Sequence, residues 1–195
     1  MTKSDDQLLL RDLRAGRPGA CAELVRAHYQ AVYRLLVHLT RDAHQAEDLT
    51  QETFAAAWEK VATFQGRAAL ATWLHRIAYT KFIDARRAER RAAGLLERLP
   101  NPQVSPQGPL DAVTAGDEAR QLYRALDALD VPERTVLVLH YLQGLSYREM
   151  AAVLDEPTGT VKWRTGEALN RLRALLGEEA PEHAPRKTSE PEPLS

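Results

Sequence analysis

The stretch "PTGTVKWRTGEALNRLR", residues 157–173, decides how the chain is read. Its apolar positions recur every three or four residues, the spacing of one face of an α-helix. On a 3.6-residue repeat Val161, Thr165, Ala168, Leu169, Leu172 and Leu176 point inward. Lys162, Trp163, Gly166, Glu167 and Asn170 then face outward, with Arg164 and Arg173 at the flanks. Two residues do not suit an idle surface helix. Trp163 is a large aromatic between two cations, and Gly166 costs about 1 kcal/mol relative to Ala in a helix interior.

Immediately upstream, "VPERTVLVLHYLQ" (131–143) places Pro132 in a first helical turn, where its missing N–H costs nothing, and Gly144 ends the helix. "LSYREMAAVL" (145–154) follows, with Ser146 and Glu149 at capping-box spacing. The turn "DEPTG" (155–159) then leads into the opening helix. Two short helices, a tight turn and a third helix with cations in its first turns form the helix-turn-helix pattern. Its last helix fits the major groove of DNA, N-terminal residues against base edges and phosphates. The same pattern also serves as a plain three-helix packing unit.

Further toward the N terminus the periodicity predicts four more helices. "SDDQLLLRDLRAG" (4–16) opens with Ser4 and Gln7 at capping-box spacing and stops at Gly16. The second starts near Pro18 and carries the stripe Leu24, Ala27, Val32, Leu35, Leu36 and Leu39. In "DAHQAEDLTQETFAAAWEKV" (42–61), Asp42 is the expected N-cap, and Ala46, Leu49, Thr53, Ala57 and Val61 share the inner face. After the loop "TFQGRAA" a fourth helix runs from Leu70 to Arg91. "NPQVSPQGP" (101–109) has no helical period and reads as an extended linker, and the polar, Pro-rich tail reads as disordered. The fold class is therefore all-α. Residues 1–92 and 118–177 are expected to form two small helical domains joined by a flexible linker at 93–117, with a tail at 178–195.

The net charge of −1 over 195 residues says little, but its distribution is uneven. Residues 61–98 carry eight Lys/Arg against three Asp/Glu, residues 99–130 two against five, and the tail from 177 again two against five. A basic segment in a neutral protein is either a solvated face or a contact for a polyanion. Cys21 is alone, so no internal disulfide forms, and it reads as a small buried thiol. The histidines at 28, 38, 44, 75, 140 and 183 show no metal spacing, and His38 and His75 read as helix-surface residues. No phosphate-cradling glycine loop appears, so no enzyme, cofactor or metal is expected. No N-terminal apolar run suits a signal peptide or a membrane span, which makes the cytoplasm the default location.

With these elements in place, the chain resembles the extracytoplasmic-function (ECF) sigma factors of the bacterial sigma-70 family. The resemblance rests on "LTRDAHQAEDLTQETFAAAWEK" and "FQGRAALATWLHRIAYTKFIDARRAERR" in the first block, and on "PERTVLVLHYLQGLSYREMAAVL" and "PTGTVK" in the second. It implies a four-helix region 2, a helix-turn-helix region 4, and a transcription initiation factor. Such a factor binds core RNA polymerase, directs it to promoters and helps melt the −10 element, with an anti-sigma factor as a further partner.

The resemblance assigns roles to residues whose own chemistry leaves alternatives open. Asp48, Gln51, Glu52 and Ala55, with Glu59, form an acidic face that is either merely solvated or, by resemblance, docks on polymerase. Phe54 and Trp58 are shared between that docking and the core. For the −10 element the candidates are Phe64, Trp73, Arg76, Tyr79, Thr80, Lys81, Asp84, Arg86 and Arg87. Aromatics interleaved with cations suit single-stranded DNA, since bases stack on rings while Arg and Lys hold phosphates. The Arg pairs 86/90 and 87/91 repel at i, i+4 unless a polyanion lies there. The loop "FQGRA" helps, by resemblance, to form a pocket for a flipped −10 base. For the −35 element they are Ser146, Arg148, Thr158, Thr160, Lys162, Trp163, Arg164, Gly166 and Glu167.

Two departures from the family pattern stand out. Thr80 occupies a position where the family usually has Asn, and Trp163 to Glu167 replace the usual run after "GTVK". Trp163 either packs on DNA or folds back as core, and Glu167 repels phosphate unless it accepts from cytosine N4. A stand-alone helix-turn-helix regulator and a protein-interaction module are the competing readings. The acidic third helix and long linker argue against the first, while the unusual recognition helix keeps the second open.

Overall fold

A computed structural model describes residues 3–66, 68–95 and 116–177. Every regular element among them is helical. The first block holds α1 (Lys3–Arg14), α2 (Ala20–Thr40), α3 (Ala43–Lys60) with a 3-10 turn (Val61–Thr63), and α4 (Leu70–Leu95). The second holds α5 (Asp117–Ala128), α6 (Val131–Leu137) widening into a π-turn (Val138–Leu142), α7 (Tyr147–Leu154) and α8 (Thr158–Leu176).

Local chemistry sets most boundaries. Asp42 caps α3, its Oδ1 accepting from the His44 and Gln45 amides at 2.8 and 3.1 Å. Capping boxes start α6 (Asp130 with Glu133) and α7 (Ser146 with Glu149). Gly19, with φ 88°, precedes α2, a left-handed conformation that glycine adopts without strain. Ser4 lies within the described span of α1. Helix α4 runs past Arg91 to Leu95, making residues 93–95 helical. The rest of the expected linker up to residue 115, and the tail, lie outside the described residues.

In the first block α2, α3 and α4 pack on one another around Leu24, Leu35, Leu36, Ala46, Ala57, Leu74 and Phe82. Helix α1 covers α2, and the Arg14 guanidinium donates to the Phe64 carbonyl. In the second, α8 packs on α5, α6 and α7 through Val161, Thr165, Ala168 and Leu172.

The blocks also pack against each other, α7 along α4 and α6 with its π-turn on α2. Arg134, 4% exposed, donates to the Leu39 carbonyl at 3.3 Å across the seam and to those of Asp127 and Leu129 at 3.3 and 3.4 Å in its own block. His38 stacks on Tyr123 with centroids 5.5 Å apart.

This seam corrects two expectations. His38 and His75 are buried rather than on the helix surface, because the second block covers the sides of α2 and α4 they occupy. On the α2 stripe His28 is buried and Ala27 exposed. Cys21 is half-buried and free.

Candidate polymerase and promoter interfaces

On α3 the spacing i, i+3, i+4, i+7 sets Asp48, Gln51, Glu52, Ala55 and Glu59 on one face, and all five are exposed. The structure separates the two aromatics that sequence left shared. Phe54 is buried and lies parallel to Tyr29 at 6.4 Å, so it belongs to the core and is not a free docking contact. Trp58 is 44% exposed beside the acidic face. An apolar ring amid carboxylates is the composition of a binding patch.

Helix α4 turns Arg76, Thr80, Asp84 and Arg87 outward. Arg76, Thr80 and Asp84, with Trp73 and Lys81, line a groove of about 640 Å³, closed on the α3 side by Leu49, Glu52 and Lys60. Arg87 pairs with Asp84 at 3.6 Å, and Arg86 lies 5.8 Å over the Phe82 ring. Lys81 Nζ sits 3.0 Å from Glu52 Oε2, so the acidic face of α3 and the groove along α4 meet at an ion pair. The Thr80 hydroxyl donates to the Arg76 carbonyl one turn back at 2.8 Å. Tyr79 is half-buried; burial first, then Glu156, pushes its phenol up, opposed by Arg164, Arg86 and Arg87.

Phe64 is buried, its ring stacked 4.6 Å from that of Trp73. It is therefore no open platform for a base, because Trp73 already occupies its face. The two rings border a hollow of about 290 Å³ with Lys60, Thr63, Gln65, Ala68, Thr72, Arg76 and, from α7, Ala152.

In the helix-turn-helix, Arg148, Thr158, Thr160, Lys162, Gly166 and Glu167 are exposed. Trp163 is 65% exposed and does not fold back as core. Ser146 is exposed, but its hydroxyl serves the cap: it donates to Glu149 Oε2 at 2.7 Å and accepts the Glu149 amide at 3.4 Å. The hydroxyl's bond to Oε2, with a second from the Ser146 amide at 2.9 Å, holds the Glu149 carboxyl below its usual range. Arg164, a −35 candidate at the flank of the helix, is bound by Glu156 in the turn at 2.7 Å. A Cβ added at Gly166 meets nothing within 4 Å.

Sequence reasoning missed the seam residues Arg134, Asp127, Asp155 and Glu156. One signal was available: Arg134 opens "RTVLVL", a run whose remaining members are all buried. Among the described residues no cluster of His, Cys, Asp and Glu could hold a metal ion, and no helix is long and apolar enough to cross a membrane.

Known proteins with this organisation are consistent in kind. The family model of sigma-70 region 2 matches residues 24–92, and that of sigma-70 region 4 matches residues 119–172. The chain is 37% identical over 167 residues to the ECF RNA polymerase sigma factor SigE of Mycolicibacterium smegmatis, covering 83% of this chain and 63% of that protein. It is 30% identical over 176 residues to SigW of Bacillus subtilis, another ECF RNA polymerase sigma factor, covering 86% and 94%. Among solved structures it is similar to the sigma factor RpoE, in complex with the anti-sigma factor NepR from Bartonella quintana. There the TM-score is 0.64 and the identity 26%, covering 90% of this chain and 96% of that one. CnrH, in complex with the cytosolic domain of CnrY, gives a TM-score of 0.66 at 30% identity, covering 88% and 97%. The chain belongs to the sigma-70 family, among its ECF RNA polymerase sigma factors: transcription initiation factors, not enzymes, that direct RNA polymerase to promoters.

Proposed function

We propose that three surfaces of this chain divide the work of initiation. The α3 face of Asp48, Gln51, Glu52 and Ala55, with exposed Trp58, docks on core RNA polymerase. Complementary charge steers the encounter and the indole holds it. The α4 groove of Trp73, Arg76, Thr80, Lys81 and Asp84, with exposed Arg87 on the same helix, holds the single strand of the −10 element. Helix α8 reads the −35 element in the major groove through Lys162, Trp163, Gly166 and Glu167, with Thr158 and Thr160 on phosphates. The observation that carries this reading is the exposure of Trp163, a large ring turned to solvent on the last helix of a helix-turn-helix. Acting on chromosomal promoters, the protein works in the cytoplasm. Its likeness to RpoE, solved with the anti-sigma factor NepR, supports an anti-sigma partner here too.

The test adds the chain to core polymerase and sequences transcripts from genomic fragments. New start sites sharing two upstream elements are expected. Stable polymerase binding without new starts would leave a protein-interaction module, and absence of polymerase binding would sink the reading.

A further inference from the structure

We infer that the recess where α2, α4 and the α5–α6 turn meet is a binding site for a diphosphate group, free or carried by a nucleotide. Its cations come from both blocks: Arg41 at the end of α2, Arg86 and Arg90 on α4, and Arg134 on α6. None of its lining residues lines the α4 groove assigned to the −10 strand.

The recess has a volume of about 550 Å³, the size of a small-molecule site. Its walls hold four arginines against two carboxylates, Glu89 and Asp130. Both carboxylates already accept hydrogen bonds, Glu89 from the Gln45 side-chain amide and Asp130 from the Glu133 backbone N–H at 2.9 Å. Among the described residues only Arg41 of the four arginines has an ion-pair partner, Asp127 at 3.6 Å. The surplus of positive charge suits an anion of two or more charges, and the planar fork of arginine suits phosphate oxygens. Val131 and Pro132 give the recess an apolar edge on which a nucleoside would rest.

Three of these arginines are set in ways that a solvated face does not explain. Arg86 and Arg90 stand at i, i+4 on α4, where like charges repel unless an anion lies between them. Arg134 is almost out of solvent and spends its terminal nitrogens on carbonyl oxygens, while its buried Nε has no partner among the described residues. Burial first, then Arg41, pulls this guanidinium below its usual range; Arg86 adds to the effect, and Asp127 and Asp130 oppose it. A buried cation among its own kind is costly, and an anion in the recess would relieve it. Arg41 itself holds a φ of 62° at the end of α2, a left-handed position that ordinarily goes to Gly or Asn. An arginine there strains the backbone, which a role for its side chain offsets. The burial of Arg134 favours a compact anion that enters the recess over a duplex backbone lying across it.

The test titrates the full chain with pyrophosphate and with ADP by isothermal calorimetry at physiological salt, with adenosine as the uncharged control. Saturable binding of pyrophosphate at submillimolar concentration is expected, with a rise in melting temperature because only the folded chain assembles the site. ADP binding more tightly than pyrophosphate would assign the site to a nucleotide, and equal affinities would assign it to the diphosphate alone. Arg41→Asn, which tolerates the left-handed turn, and Arg90→Gln, at an exposed position, should each weaken binding at least about tenfold. Arg26→Gln, exposed near the other end of α2, should leave it unchanged. An equal loss in Arg26→Gln and Arg90→Gln would reduce the effect to general attraction of anions and overturn the site. Adenosine binding as well as ADP would overturn the role of the arginines. Failure of both phosphates to bind would overturn the proposal, and weaker duplex binding by Arg90→Gln in that case would give the cluster to DNA.

Discussion

Arg164 and Glu156 form an ion pair that ties the recognition helix to the turn before it, at 2.7 Å, with side chains only 23% and 28% exposed. This makes Arg164 a brace for α8 before it is a DNA contact. Arg164→Ala and Glu156→Ala should each lower −35 affinity, and a double-mutant cycle in urea should return a coupling of about 1 kcal/mol. If Glu156→Ala instead raises affinity, Arg164 is a phosphate contact that Glu156 restrains.

The two aromatics of α3 should separate binding from stability. Trp58→Ala should weaken polymerase binding roughly tenfold with the melting temperature nearly unchanged, as expected of an exposed anchor. Phe54→Ala, at a buried site stacked near Tyr29, should cost about 3–5 kcal/mol of stability. Calorimetry and a polymerase pull-down on both variants decide the assignment, and the reverse pattern would refute it.

Gly166→Ala should stabilise the chain by up to about 1 kcal/mol, because the helix gains a better former and a Cβ there meets no neighbour. The same substitution should weaken binding to a cognate −35 duplex if the bare backbone lies against the DNA. Unchanged affinity in a gel-shift titration would reject close approach.

Thr80→Asn should change the preferred −10 base without changing the fold. The Thr80 hydroxyl already donates to the Arg76 carbonyl, so it offers a base less than an amide's paired donor and acceptor. Promoter-library transcription with wild type and variant measures the shift, and identical preferences would show that residue 80 does not read the strand.

Acid should destabilise the packed chain through His75. Its imidazole is pushed down to about 4 from 6.5, by burial first and then by His28, against weaker support from Gln143, the Ala31 backbone and Glu149. The unfolded chain therefore binds a proton that the folded chain refuses between these values. Stability from this group is complete above pH 6.5 and is lost as pH falls toward 4, with a slope approaching about 1.4 kcal/mol per pH unit inside that window. Burial also pulls His28 down, against Asp6, and adds in the same direction. Thermal melts of His75→Gln should show a shallower acid slope than wild type; equal slopes would remove His75 as the cause.

Much of this architecture was legible because it is local. Asp42, Pro132 and the Ser146–Glu149 pair announce helix starts within a few residues, and the α8 stripe fixes which side of the recognition helix faces out. What was illegible depends on partners far along the chain. Arg134 bonds to the Leu39 carbonyl 95 residues away, and no period in α2 or α4 says that His38 or His75 will be covered by another block. The burial of Phe64 is similar, since it requires Trp73 to arrive from across a loop. Arg164 is ambiguous for the opposite reason: its partner Glu156 is near, but charge pattern alone does not tell a brace from a DNA contact.

Residues 35–39 of α2 are buried on every side, which no single layer of packing accomplishes. That end of the helix is shared property between the two blocks. The family models treat the halves as separate modules, yet this chain has tailored one to the other at His38, Leu39 and Arg41. A chimera that grafts the second block of a relative onto this first block inherits an unmatched seam. Its success depends on whether the donor brings counterparts of Tyr123, Asp127 and Arg134, so exchangeability between relatives is limited by how well the two blocks fit each other.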